Sequence, residues 1–139
     1  MFECLILGDS IAVGTHQYRT ECVTYAKSGI NSWQWNRMWS TEDLTAEVVI
    51  ISLGSNDHKY IHTEEELIKL RHRVKGKRVY WILPHGNNPR SGVSIEQIDK
   101  IVNQVAMQNG DVVLPIRHVQ KDNIHPSWAG YKEIGDATK

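Results

Sequence analysis

The stretch VVIISLGSND, Val48 to Asp57, decides the fold prediction. It opens with an apolar run rich in β-branched residues, which is typical of a strand buried on both faces. The run ends in the polar turn Gly54 to Asp57. A second run of this type is VYWIL, Val79 to Leu83. Strands of this kind belong to a parallel sheet with helices on both faces.

The rest of the chain alternates short apolar runs with longer amphipathic ones, so strands and helices should alternate. The five predicted strands are Cys4–Leu7, Cys22–Tyr25, Val48–Leu53, Val79–Leu83 and Val112–Leu114. The predicted helices are Ser32–Met38, Glu64–Arg73 with Thr63 as N-cap, Ile95–Gln108 with Ser94 in a capping box, and Ser127 to the C-terminus.

These elements predict one α/β domain over residues 1–139. The expected architecture is a flavodoxin-like three-layer α/β/α sandwich, with a five-stranded parallel sheet in the order 2-1-3-4-5. Right-handed crossovers place the functional loops of such a sheet at the carboxyl ends of its strands. Chemistry should therefore cluster after Leu7, Tyr25, Leu53, Leu83 and Leu114.

The charge balance argues against a nucleic-acid partner, because the chain has 16 basic and 16 acidic residues and so no basic excess. The basic cluster RHRVKGKR, Arg71 to Arg78, is interpreted as a solvated surface at a helix end. No apolar run approaches the ~20 residues that span a membrane. The N-terminal residues also lack the features of a signal peptide, so we predict a cytoplasmic protein.

Both cysteines, Cys4 and Cys22, lie in apolar segments interpreted as strands. A disulfide framework usually has more cysteines and needs an oxidising compartment. We therefore predict two buried free thiols.

The polar segments after the strands contain the groups that acyl transfer requires. A serine such as Ser10 is a weak nucleophile until an adjacent base takes its proton, and His125 is suited to that task. Asp122 could orient the imidazole if its loop turns back on itself. The backbone N–H groups of Ser10 and Gly29 and the amide of Asn56 are candidate donors to an oxyanion.

These segments resemble the four sequence blocks of the SGNH hydrolases, also called the GDSL esterase/lipase family. Gly8–Ser10 resembles the nucleophile block, with Ile11 where leucine is common. Gly29 matches the isolated glycine of the second block. Gly54–Asp57 matches the G-x-N-D block, and Asp122–His125 matches the D-x-x-H block.

The resemblance spans most of the chain, since Pro126–Tyr131 also looks like the family's helix start after the histidine. It implies hydrolysis of esters or thioesters without a metal or organic cofactor. It also implies a catalytic set of Ser10, Asp122 and His125. Ser10 should lie on a loop that enters a helix, where it could serve as the N-cap as well.

Several other residues have weaker assignments. Asp57 is expected to order its loop, and His58 and His62 are interpreted as surface histidines because no third metal ligand follows. Trp33 is a candidate substrate contact because it lies near Gly29 in the sequence. His85 is another, because the loop Pro84–Gly92 should overhang the site.

The predicted substrate is a small-molecule or carbohydrate ester with a short acyl group, such as an O-acetylated sugar. The connections leave no apolar insertion that could shelter a fatty chain. Two alternatives stay open. One is a thioesterase or lysophospholipase acting on longer acyl chains, and the other is a non-catalytic carbohydrate-binding module on the same fold. The sequence does not indicate an oligomeric state.

Overall fold

Five parallel strands form the central sheet in the computed structural model, which describes residues 1–139. The strand order is β2-β1-β3-β4-β5, so the predicted order is confirmed. The strands are β1 (Phe2–Gly8), β2 (Val23–Ala26), β3 (Thr45–Ser52), β4 (Lys75–Ile82) and β5 (Val112–Leu114).

Five α-helices cover the sheet, in agreement with the predicted three-layer sandwich. They are α1 (Ser10–Thr15), α2 (Ser32–Met38), α3 (Thr63–Arg73), α4 (Ile95–Asn109) and α5 (Trp128–Ala137), and a 3-10 turn, His16–Tyr18, follows α1. No helix is both long and apolar enough to cross a membrane.

The alternation of side chains along the strands divides the core into two layers. On β1, Leu5 and Leu7 face a cluster that includes residues of α2, α3 and α4. Cys4 and Ile6 point to the opposite face, where they join residues of α1 and α5. All four side chains are buried, so β1 is covered on both faces.

The ends of several elements differ from the predictions. The Ser94 side chain caps α4 but does not form the predicted capping box with Gln97, and Thr63 does not cap α3. Thr63 is the first residue of α3, and its hydroxyl donates to Asp57 instead. Strand β4 begins earlier than predicted, at Lys75, because its exposed first half still pairs with β3 from Thr45 onward.

Cys4 and Cys22 form a disulfide, so the prediction of free thiols was wrong. The pairing of β1 with β2 places Leu5 opposite Val23. Cys4 and Cys22 directly precede these two residues, so the same pairing brings their Cα atoms to 4.5 Å. This distance lies within the range that a disulfide spans. Disulfides are rare in the cytosol, so the bond weighs against the predicted cytoplasmic location.

Candidate active site

Ser10 is positioned by a close approach between β1 and β3. A Cβ on Gly8 would lie 1.8 Å from the carbonyl oxygen of Ser52, so only glycine fits there. The next residue, Asp9, donates its N–H to the same carbonyl at 3.0 Å. The chain then turns directly into α1, whose first residue is Ser10. Ser10 thus lies where a strand passes into a helix, as predicted.

Asp9, and not Ser10, is the N-cap of α1. Its Oδ1 accepts hydrogen bonds from the N–H of Ile11 at 3.0 Å and from the hydroxyl of Ser52 at 3.1 Å. Its Oδ2 is buried without a hydrogen-bond partner. Burial raises the pKa of Asp9 to about 6 although both hydrogen bonds oppose this. The Ser10 side chain therefore does not cap the helix.

Ser10, His125 and Asp122 form a continuous chain of hydrogen bonds. Ser10 Oγ lies 2.8 Å from His125 Nε2. His125 Nδ1 lies 2.5 Å from Asp122 Oδ2. With its proton on Nδ1, the imidazole donates to the carboxylate and accepts from the serine hydroxyl through Nε2. The geometry is that of a nucleophile, a base and an orienting carboxylate.

The loop around Asp122 turns back on itself, as this contact requires. Asp122 Oδ1 accepts the backbone N–H groups of Ile124 at 2.9 Å and His125 at 3.0 Å. Asn123, between them, has a positive φ of 62°, a conformation that asparagine tolerates better than most residues. Burial acts to raise the pKa of Asp122, but the hydrogen bonds from His125 and these N–H groups lower it to about 2. Asp122 is therefore ionised at any working pH.

The loop Pro84–Gly92 also contacts this segment. His85 Nδ1 lies 2.8 Å from the carbonyl oxygen of Asn123. Gly86 has a φ of 71°, and a Cβ there would come within 2.1 Å of the same oxygen. His85 therefore lies against the loop that holds Asp122 and His125, while its role as a substrate contact stays a prediction.

The backbone N–H groups of Ser10 and Gly29 have no partner within the chain. Gly29 has a φ of 80°, and a Cβ at this position would meet no atom within 4 Å. Neither the Gly29 N–H nor the Ser10 N–H donates an intramolecular hydrogen bond. Free N–H groups of this kind suit an oxyanion, which needs donors that are fixed in advance.

Asn56 is the third predicted donor, and its amide is held in one orientation. Its Nδ2 donates to the carbonyl of Ile30 at 3.2 Å, which leaves a second amide hydrogen free. Its Oδ1 accepts from Asn88 Nδ2 at 3.3 Å. Sequence reasoning missed Asn88, since a polar residue in a long loop has no signal that pairs it with a residue 32 positions away.

Ser10 lines an open groove of about 490 Å³ between α1 and the start of α5. Trp128, 69% exposed, forms part of its wall. Trp33, the tryptophan that the sequence offered as a candidate substrate contact, does not line this groove. The guanidinium carbon of Arg37 lies 4.4 Å from the centre of the Trp33 ring.

The other expectations concern residues around the site. Asp57 is buried and accepts hydrogen bonds from Ser32 and Thr63, so it orders its loop as predicted. His62 is exposed and His58 is half-buried, and no group of three His, Cys, Asp or Glu side chains is placed to hold a metal ion.

The chain matches no family's sequence profile, and no curated protein is similar to it in sequence. Solved structures are similar in fold. One is a protein assigned to the GDSL-like lipases from Parabacteroides merdae, with a TM-score of 0.71, 13% identity, and coverage of 97% of this chain and 92% of that one. Another is an acetyl xylan esterase, AlAXEase, with a TM-score of 0.65, 16% identity and coverage of 96% of both chains.

A third similar structure is the C-terminal catalytic domain of peptidoglycan O-acetyltransferase A from Streptococcus pneumoniae. Its TM-score is 0.69 at 16% identity, with coverage of 97% of this chain and 89% of that one. At such low identities the likeness concerns the fold. Each alignment spans nearly the whole of both chains, so the shared fold is complete. This chain has the α/β fold of the SGNH, or GDSL, hydrolases.

Proposed function

We propose that this protein is a serine esterase of the SGNH family that hydrolyses short-chain carboxylic esters, such as O-acetylated carbohydrate. The observation that carries the proposal is the hydrogen-bond chain from Ser10 through His125 to Asp122. It supplies a nucleophile, a base and an orienting carboxylate in contact. The N–H groups of Ser10 and Gly29, which have no partner within the chain, are the proposed backbone donors to the oxyanion.

The first half of the proposed reaction forms an acyl-enzyme. Ser10 Oγ attacks the ester carbonyl carbon while its proton passes to His125 Nε2. The carbonyl oxygen becomes an oxyanion, which accepts hydrogen bonds from the N–H groups of Ser10 and Gly29 and from Asn56. Asp122 stabilises the imidazolium that forms. When the C–O bond breaks, the imidazolium returns its proton to the departing alcohol oxygen.

The second half releases the acid. A water molecule takes the place of the alcohol and gives a proton to His125 Nε2 as it attacks the acyl carbon. The tetrahedral intermediate again places its negative oxygen at the same donors. Collapse breaks the bond to Ser10 Oγ, which recovers its proton from the imidazolium. The products are one carboxylic acid and the free enzyme.

The surroundings of Gly29 support a short acyl group. The hollow beside this glycine measures about 270 Å³, at the small end for a ligand site. Nothing lies within 4 Å of the space where a Gly29 side chain would be, so the hollow is open on this side. Acetyl esters are also the substrates named for the xylan esterase that shares this fold.

Labelling with a fluorophosphonate probe tests the proposal, because the probe reacts with an activated serine. We expect one label per chain on the native protein and none on Ser10→Ala. Ser40→Ala is the control. It removes the hydroxyl of an exposed serine outside the proposed catalytic set and should be labelled to the same extent as the native protein. Equal absence of label from native protein and Ser10→Ala would overturn the esterase and favour the non-catalytic alternative.

A chain-length series separates the short-acyl enzyme from the thioesterase or lysophospholipase alternative. Initial rates would be measured on p-nitrophenyl esters from acetate to decanoate, and on acyl thioesters of the same lengths. We expect kcat/KM to fall as the acyl chain lengthens. A rise towards the long esters or thioesters would contradict the short-acyl assignment while leaving Ser10 as nucleophile.

A further inference from the structure

We propose that the groove between α1 and the start of α5 is a subsite for a glycosyl unit, the alcohol portion of the ester. In this subsite the sugar ring stacks on Trp128. The inference rests on the proposed function. It adds a surface that binds the alcohol portion of the ester, which the proposed reaction at Ser10 does not identify. It concerns Trp128 and two glutamines, Gln17 and Gln120, which have no part in the reaction itself.

The first argument is position. The alcohol oxygen must remain within reach of His125, because this residue protonates it. The groove begins at Ser10 and continues along Pro126 and Ser127, which directly follow His125 in the chain. Gly29, one of the proposed oxyanion donors, lines a different hollow. The groove therefore extends from the nucleophile on the side of the base, where the alcohol departs.

The second argument is the exposed indole. Trp128 is 69% exposed although tryptophan is usually well buried. Its ring is held by an edge contact with Tyr18, with ring centres 6.3 Å apart and planes 72° apart. An apolar ring held at a fixed angle beside an active serine can receive the C–H face of a pyranose. Stacking on an aromatic ring adds binding energy beyond the area that is buried.

The third argument is the polar lining. The Gln17 side chain is exposed and makes no hydrogen bond within the chain. Gln120 uses Nε2 to donate to the carbonyl of Pro126 at 3.0 Å, which leaves its Oε1 free to accept. These amides can exchange hydrogen bonds with sugar hydroxyls. A fatty acyl chain would need continuous apolar walls, which this lining interrupts.

The floor of the groove gives it a definite depth. Tyr131 is buried against Gly14, where a Cβ would come within 2.2 Å of the tyrosine ring. The ring of Tyr131 therefore lies close against α1, and it forms part of the groove lining. The space above it is open to solvent and large enough for one or two sugar rings. An oligosaccharide can extend out of an open groove of this kind without a lid.

Esters that share the acetyl group but differ in the alcohol test this subsite. Methyl acetate has an alcohol too small to reach Trp128, whereas the sugar rings of acetylated xylotriose can occupy the groove and extend beyond it. We expect Trp128→Ala to raise KM for acetylated xylotriose about tenfold and to leave kcat/KM for methyl acetate within about twofold. Trp128→Phe should raise KM for acetylated xylotriose by less than Trp128→Ala does. Gln17→Ala should also raise this KM by less than Trp128→Ala does.

Two controls accompany this series. Met107→Ala removes a large exposed apolar side chain on α4 and should change neither substrate's kinetics. Trp33→Ala tests the tryptophan predicted from the sequence. Loss of sugar-ester activity in Trp33→Ala but not in Trp128→Ala would overturn the subsite. So would an equal effect of Trp128→Ala on methyl acetate and acetylated xylotriose, or a selective effect on methyl esters of longer acids.

Binding of unacetylated xylotriose separates failure of the subsite from failure of the esterase. Titration of native protein, followed by calorimetry, should show saturable binding that Trp128→Ala loses and Ser10→Ala keeps. Binding with no ester hydrolysis would support the subsite and overturn the esterase. Hydrolysis of methyl acetate with no xylotriose binding would overturn the subsite and leave the esterase.

Discussion

Asp57 accepts two hydrogen bonds from Ser32, one from the backbone N–H at 2.9 Å and one from the hydroxyl at 2.6 Å. All of these atoms are buried. Ser32 follows the loop of Gly29, and Asp57 follows Asn56, so this contact joins the loops of two proposed oxyanion donors. The spacing of those donors thus depends on a carboxylate that lies beneath them.

Asp57→Ala should destabilise the fold and lower kcat together. It leaves the hydroxyls of Ser32 and Thr63 and one N–H without an acceptor, each at a cost of about 1–3 kcal/mol when buried. Urea unfolding would measure the loss. Asp57→Asn should lose much less stability, because the hydroxyls of Ser32 and Thr63 can rotate to accept hydrogen bonds from the new amide. An equal loss of stability in the two variants would contradict this account.

Removal of the proposed nucleophile or base should nearly abolish turnover and leave the fold intact. Ser10→Ala and His125→Ala are each expected to lower kcat by several orders of magnitude, because the two residues act as one unit. Asp122→Asn should cost less, since its Oδ1 can still accept the two N–H groups that shape the loop. His72→Ala is the control, an exposed histidine on α3. A rate that survives in His125→Ala would refute the base.

Asn56→Asp should reduce kcat by about 10²–10³ without a comparable rise in KM, because a donor to the oxyanion is lost while the side-chain shape is kept. Asn88→Ala should cause a smaller fall, since it frees the Asn56 amide to rotate but does not remove it. Steady-state kinetics on one acetate ester would compare the two variants. An effect confined to KM would show that neither residue acts on the transition state.

Asp9 should make the protein less stable as pH rises from about 4 to about 6. Its folded pKa of about 6 lies above the ordinary value of 3.8, so the folded state binds the proton more tightly. The unfolding free energy should therefore fall across that interval, by about 3 kcal/mol, and stay level above it. Asp9→Asn keeps the acceptor for the Ile11 N–H but cannot ionise.

Urea unfolding of native protein and Asp9→Asn at pH 4, 5, 6 and 8 would measure this difference. The variant should gain stability relative to the native protein as pH rises, and the gain should level off above pH 6. Other titrating groups cancel in the comparison because both proteins contain them. Parallel pH profiles would show that burial of Asp9 does not perturb its ionisation.

The disulfide between Cys4 and Cys22 closes the segment that contains Ser10 and α1. Its removal by the double variant Cys4→Ala/Cys22→Ala should lower the unfolding free energy by about 3 kcal/mol, as expected for a loop of this length. Alkylation followed by mass measurement would count the thiols. Two reactive thiols in unreduced, denatured protein would contradict the bond.

The local pattern of the sequence was sufficient to predict the layers of the fold. The run from Val48 to Leu53 predicted a strand buried on both faces, and the structure places Asn56 just after the carboxyl end of that strand. Shorter apolar runs precede Ser10 and Gly29. Because parallel strands end at one edge, their loops had to meet there, and the predicted site residues lie in those loops.

Only the tertiary structure decided the contacts between those loops. The cap at Asp9, the Asn88 amide on Asn56 and the Cys4–Cys22 bond each depend on atomic distances between separate segments. Such distances follow from strand register and helix packing, which periodicity does not encode. The role proposed for Trp128 also depends on the tertiary structure. The sequence shows that Trp128 follows His125, but its exposure in the groove that Ser10 lines depends on how α5 packs against α1.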